Sequence, residues 1–114
     1  MNELFNVAEN FMYVFNHPYV GTEHFFLAFL KKYKLKSVSF EEFKGAVKDI
    51  IGYGTIKSTF VLYTPILREI KNKYKNEKDA IVAIIENEDS IVHSILVVKK
   101  KDTNGLIEEI KNLS

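Results

Sequence analysis

The residues of this chain whose types could do chemistry are three histidines, His17, His24 and His93, and the adjacent pair Thr22-Glu23. The three could in principle ligate a metal, and His17 and His24 flank a single turn, HPYVGTEH. No His-Glu-x-x-His or comparable spacing accompanies them, and structural roles are favoured over metal ligation. Glu23 and His24 make a poor acid–base pair, because helix neighbours point about 100° apart and no nucleophile is signalled beside them. The glycines form neither a phosphate loop after a strand nor a Walker pattern, so the chain does not itself carry an ATPase. The expectation is no catalytic residue, no metal and no cofactor. Thr22-Glu23 has a different potential use: exposed amides at a helix N-terminus favour a phosphate, while a glutamate can hold a guanidinium by paired, charge-assisted hydrogen bonds. The same two residues serve equally well as a helix cap and a complement to the helix dipole.

These residues must be positioned by helices. Leu4, Phe5, Val7, Ala8, Phe11, Met12, Val14 and Phe15 recur at three- and four-residue steps, which predicts a helix capped by Asn2 and running to about Asn16. Pro18 disfavours helical geometry at His17, so His17 to Gly21 is a turn. A second helix follows, with Thr22 as N-cap, Glu23 in the first turn and His24 to Tyr33 as its body. Ser39 and Glu42 form a capping box ahead of Phe40, Phe43, Val47 and Ile50, and Gly52 ends that helix. The stretch from Tyr53 to Tyr63 reads as a linker. Thr64-Pro65 is a cap followed by an N1 proline, opening a helix through Ile66, Leu67, Ile70 and Tyr74. The apolar run Ala80 to Ile85 suits a buried helix preceded by Glu77 to Asp79. Asp89 is expected to cap a short helix through Ile91, Val92, Ile95 and Leu96. Asp102 or Thr103 starts the last, with Leu106, Ile107, Ile110 and Leu113 on its apolar face. The total is about seven helices, an all-α fold.

At 114 residues and 46% hydrophobic content, the chain suits one domain with a real core. Sixteen Lys+Arg against fifteen Asp+Glu leave a formal charge of +1, without the basic excess of a duplex binder; no nucleic-acid partner is expected. The longest strongly apolar stretch, Phe25 to Leu30, falls far short of the roughly 20 residues needed to cross a bilayer, and the first residues show no secretory pattern. No cysteine is present, so nothing demands an oxidising compartment, and a cytoplasmic address with no membrane partner is expected. The lysine-rich runs read as solvated faces. Most phenylalanines fall at core spacing. Tyr19, Tyr53, Tyr63 and Phe60 lie in turns or the linker, where aromatic rings are available to a partner.

The chain also matches itself. Phe26-Leu27-Ala28-Phe29-Leu30 aligns with Ile81-Val82-Ala83-Ile84-Ile85, and Phe43/Val47/Ile50 with Leu106/Ile110/Leu113, which suggests two degenerate halves packed as one pseudo-twofold bundle. Their boundaries are 1–52 for the first repeat, 53–63 for the linker and 64–114 for the second repeat.

The residues HPYVGTEHFFLAFL, His17 to Leu30, followed by Tyr63-Thr64-Pro65, resemble the N-terminal domain of Clp-type AAA+ unfoldases, ClpC-like members most of all. In that family a GHxxVGTEHLLLGLL motif stands in each of two repeats and a YTP triplet opens the second. The resemblance covers nearly the whole chain and implies an all-helical double Clp-N repeat. It also implies a non-catalytic docking surface that recruits adaptors and substrates, including arginine-phosphorylated proteins, to the ATPase ring. The chain departs from the family pattern in three places. It begins inside the first helix, it omits a short helix between Lys34 and Ser39, and it places Asn76-Glu77-Lys78-Asp79 where the second Gly-Thr-Glu-His would stand. The candidate binding residues are Thr22, Glu23, Val20, Tyr19 and Tyr63. The alternative is a stand-alone regulator that mimics such a domain and competes for adaptors. An unrecognised hydrolase ranks last and would need His24, Glu23 and Tyr63 to converge on a pocket.

Overall fold

The computed structural model describes residues 1–57 and 59–113; Ser58 in the linker and Ser114 lie outside the described residues. It is all-α, with seven helices among the described residues: α1 Asn2–Phe15, α2 Thr22–Lys32, α3 Phe40–Ile50, α4 Pro65–Lys73, α5 Glu77–Glu86, α6 Ile91–Val98 and α7 Thr103–Lys111. None of them is long and apolar enough to cross a membrane.

Local chemistry sets most of the helix starts. Ser39 accepts from the Glu42 amide at 3.0 Å while Glu42 reaches back to the Ser39 amide, completing the expected capping box. Thr64 accepts from the Leu67 amide with Pro65 at N1, Asn76 caps α5 through the amides of Lys78 and Asp79, and Asp102 accepts from Gly105. Three expected caps are corrected. Asn2 is the first residue of α1 rather than its cap; the Met1 carbonyl already accepts from Leu4 and Phe5. Gly21, not Thr22, precedes α2. Ser90, not Asp89, caps α6: its hydroxyl accepts from the His93 amide and donates to the Ile84 carbonyl, so it also ties α6 to α5. At the other end of α3, Gly52 takes φ 81 and returns its amide to the Val47 carbonyl, the stop a left-handed glycine provides.

The central element is α2, whose residues Thr22 to Leu30 are all buried. It packs against α1, α3, α5 and α6, while α5 in turn packs against α4, α6 and α7. In chain order α1 packs on α2 and α2 on α3, and α4 packs on α5 and α5 on α7. The second half carries α6 where residues 33–39 of the first half are without helix. The core is aromatic around α2, with Phe5 against Phe25 at 4.7 Å and Phe26 edge-on to Phe43 at 4.7 Å between ring centroids. It is aliphatic around α5, where Ile81, Ile84 and Ile85 are fully enclosed with Leu67 and Ile95.

Among its described residues the linker forms neither helix nor extended strand, but it is anchored at both ends. The Gly54 amide donates to the Phe15 carbonyl at 2.8 Å, and a Cβ at position 54 would stand 1.9 Å from the Asn16 carbonyl oxygen. At the far end Val20 and Tyr63 form an isolated parallel bridge, a partner for the linker that the sequence did not announce.

Two glycine substitutions separate close approach from simple helix propensity. Gly54→Ala should lower unfolding free energy by about 1–3 kcal/mol, because the added carbon forces backbone to move. Gly45→Ala, on α3 with open space around its Cβ position, should raise it by about 0.5–1 kcal/mol. Urea denaturation of the two variants checks both signs.

Candidate binding site

Because α2 is buried all round, its N-terminus is buried too: Thr22, Glu23 and His24 are only 3%, 4% and 1% exposed. Polar groups placed there must find partners within the protein. The Gly21 amide donates to His24 Nδ1 at 2.8 Å, so the proton of that ring sits on Nε2. This Nε2–H donates to His17 Nδ1 at 2.8 Å. The His17 proton is thereby assigned to Nε2, which donates to the Gly52 carbonyl at 2.7 Å. The three bonds form one directed chain from the start of α2, through both histidines, to the end of α3. Phe15 stacks on His17 at 5.2 Å and on Tyr53 at 5.2 Å, enclosing the chain with apolar surface. Burial first, and the neighbouring His17 second, depress the His24 pKa to about 3, so its ring stays neutral.

Side-chain ligand atoms of His17, Glu23 and His24 all lie within 4.8 Å of one another, a spacing that on distance alone could surround a cation. Each neutral imidazole has one lone pair, however, and both are engaged, one by an amide proton and the other by the neighbouring ring. A cation would have to displace two buried hydrogen bonds, and the cluster as it stands is a structural relay. His93 is likewise engaged, with Nδ1 2.8 Å from the Ile85 carbonyl.

Glu23 is the unusual member. Its carboxyl folds back over Gly21, where Oε1 would stand 2.1 Å from a Cβ, so only glycine leaves it room. Oε1 of Glu23 and Oγ1 of Thr22 are buried without a hydrogen-bond partner among the described residues. The 3.9 Å approach of Glu23 Oε1 to His24 Nδ1 is no ion pair, because that nitrogen is the lone-pair atom of a neutral ring. Burial pushes the Glu23 carboxyl up to about 7, against the opposing pull of a backbone N–H.

The candidate residues thus separate into two layers. Thr22 and Glu23, expected as an exposed amide-and-carboxylate pair, lie beneath the surface, a correction that follows from the burial of α2. Val20 is fully buried and works through its backbone: its amide donates to the Leu62 carbonyl at 2.7 Å and its carbonyl accepts from Thr64 at 3.0 Å. Tyr19 remains 49% exposed. Tyr63 is half-buried, stacked on Phe5, and its hydroxyl donates to Glu9 at 2.7 Å; burial and that bond raise its pKa. The Tyr63 hydroxyl is thus directed to Glu9. Glu9, and the role of the Gly52 carbonyl beyond its helix stop, were not singled out from sequence, since each meets its partner across more than thirty residues. Arg68 and Lys71, which border Tyr63, carried a visible signal: two cations one turn apart just after the Tyr-Thr-Pro triplet.

No protein-family model matches this chain, and no curated protein matches it significantly.

The two buried groups pull stability in opposite directions with pH. Glu23 keeps its proton more firmly when folded, so its contribution is whole below its ordinary pKa of 4.5 and is lost as pH rises through about 7. The His24 contribution is whole above its ordinary 6.5 and is lost as pH falls toward about 3. Between pH 4.5 and 6.5 the two slopes oppose each other. Glu23→Gln should therefore be more stable than the parent at pH 8, by about 3 kcal/mol relative to the difference at pH 4. Denaturant titrations at the two pH values measure this, and an equal difference at both would refute the perturbed carboxyl.

Proposed function

We propose that this chain is a non-catalytic protein-binding module of the Clp N-domain type, which recruits adaptors or tagged substrates to a Clp-type unfoldase. The observation that carries the reading is the bridge between Val20 and Tyr63. It joins the two pieces of sequence on which the resemblance rests, the HPYVGTEH turn and the Tyr-Thr-Pro opening of the second half. Around that junction Tyr19 and Leu62 keep about half their surface open, as side chains that meet a partner must. The matching helix order of the two halves supports the same reading. So does Asn76, which caps α5 where Gly21 precedes α2.

Arginine phosphate is the specific tag this reading brings with it. A guanidinium would pair with Glu23 only after the carboxylate swings off Gly21 and ionises, and with a pKa near 7 ionisation is favoured by alkaline conditions.

Calorimetric titration with free phosphoarginine and a phosphoarginine peptide, with arginine as control, tests the tag. Saturable binding that strengthens from pH 6 to pH 8 and is lost in Glu23→Gln is the expected outcome. Affinity capture on the immobilised chain, with Clp ATPase subunits or their adaptors identified by mass spectrometry, tests recruitment. Failure of both the titration and the capture would overturn the proposal.

A further inference from the structure

Beside the Val20–Tyr63 junction, a surface groove of about 580 Å³ runs between the Tyr19 turn and α4, lined by Tyr19, Leu62, Tyr63, Arg68, Lys71 and Asn72 among others. Its volume falls within the range of ordinary ligand-binding clefts. One side is apolar, with Tyr19 49% and Leu62 46% exposed. The other is cationic. Arg68 and Lys71 stand three residues apart on α4, so they share one helix face, and both are exposed.

Both cations are held by uncharged groups, as Lys31, Lys44 and Lys73 also are at other aromatic rings. Lys32 and Lys101 meet Glu77 and Glu42 in ion pairs. Neither Arg68 nor Lys71 meets a carboxylate at ion-pair distance among the described residues. Arg68 instead donates from Nη2 to the Tyr63 carbonyl at 3.4 Å. The Lys71 Nζ lies 4.9 Å from the Tyr63 ring centre and 5.1 Å from that of Phe5. Such contacts orient a cation without neutralising it. Two acids lie nearby, Glu9, which receives the Tyr63 hydroxyl, and Glu69, which lines the adjoining cavity with Arg68 and Lys73; neither stands at ion-pair distance from Arg68 or Lys71 among the described residues. Aromatic and arginine side chains around a concave apolar floor are the composition of binding hot spots. Unpaired cations on one wall select the charge of what binds there.

We propose that this groove docks an acidic peptide segment of a partner protein, one in which carboxylates flank an apolar side chain. The apolar side chain lies against Tyr19 and Leu62, and the carboxylates meet Arg68 and Lys71. The proposal rests on the reading of the chain as a protein-binding module and adds the chemistry of the partner.

The test uses the whole chain, labelled with ¹⁵N, titrated with a synthetic peptide in which glutamates flank a leucine. The counterpart peptide has every glutamate replaced by glutamine. Saturable shifts should centre on the amides of Tyr19, Leu62, Arg68 and Lys71. Affinity should fall roughly tenfold or more with the glutamine peptide, and again in the Arg68→Glu/Lys71→Glu double variant. Both substituted side chains are exposed, and the variant's far-UV circular dichroism checks its fold; the glutamine peptide needs no variant at all. No binding, equal binding of the two peptides, or shifts centred elsewhere would overturn the groove assignment. Binding of the glutamate peptide here, with neither phosphoarginine nor Clp components bound, leaves the groove standing and removes recruitment. Capture of Clp components equally by the parent and the double variant does the reverse.

Discussion

Helix α2 is surrounded by α1, α3, α5 and α6, and a helix enclosed in this way cannot leave its first amides to water. Every polar feature of the site follows from that constraint. The His24 ring is turned back to take the Gly21 amide, its second nitrogen must then find an acceptor, and His17 is the side chain within reach. His17 in turn donates its own N–H to the Gly52 carbonyl, at the place where the chain leaves α3 through a left-handed residue. Helix packing thus requires the relay, and the relay ties the start of α2 to the end of α3. Removing either ring would strand buried donors and acceptors rather than simply delete a contact.

The same enclosure separates the groups that hold the fold from the groups that can meet a partner. His17, His24 and Val20 satisfy backbone groups and are closed to solvent. Glu23 shares their burial without a hydrogen bond for its Oε1, which is why its carboxyl keeps its proton toward neutral pH. Outside them, Tyr19 and Leu62 flank a bridge whose buried half is Val20, so a rigid, satisfied layer supports an open one. Arg68 and Lys71 belong to that outer layer, held by a carbonyl and by aromatic faces that leave their charge available.

Much of this was legible along the chain because it is decided within a few residues. The Ser39/Glu42 box, Thr64-Pro65 and the glycine stop at position 52 are local bonds and local sterics, and the structure carries each of them. The buried-helix reading of Ala80 to Ile85 also held, because acids and an asparagine cap preceded an apolar run too wide for a single face. The failures are instructive for the same reason. Asp89 was expected as the cap of α6, but Ser90 takes that place, with its hydroxyl also bound to the Ile84 carbonyl supplied by the preceding helix. Thr22 looked like the cap of α2, yet the histidine two residues later had already taken the Gly21 amide.

The sequence by itself determined the all-α class, the number of helices, most of their ends and the apolar residues that make the core, since helix periodicity and capping act over one or two turns. Tertiary structure alone decided that Thr22 and Glu23 are covered, that His17 and His24 engage each other and Gly52 rather than a ligand, and that Tyr19 and Tyr63 come together beside Arg68 and Lys71. Those outcomes depend on which surfaces meet across dozens of residues, and solvent exposure, hydrogen-bond pairing and proton affinity are properties of that meeting rather than of any segment.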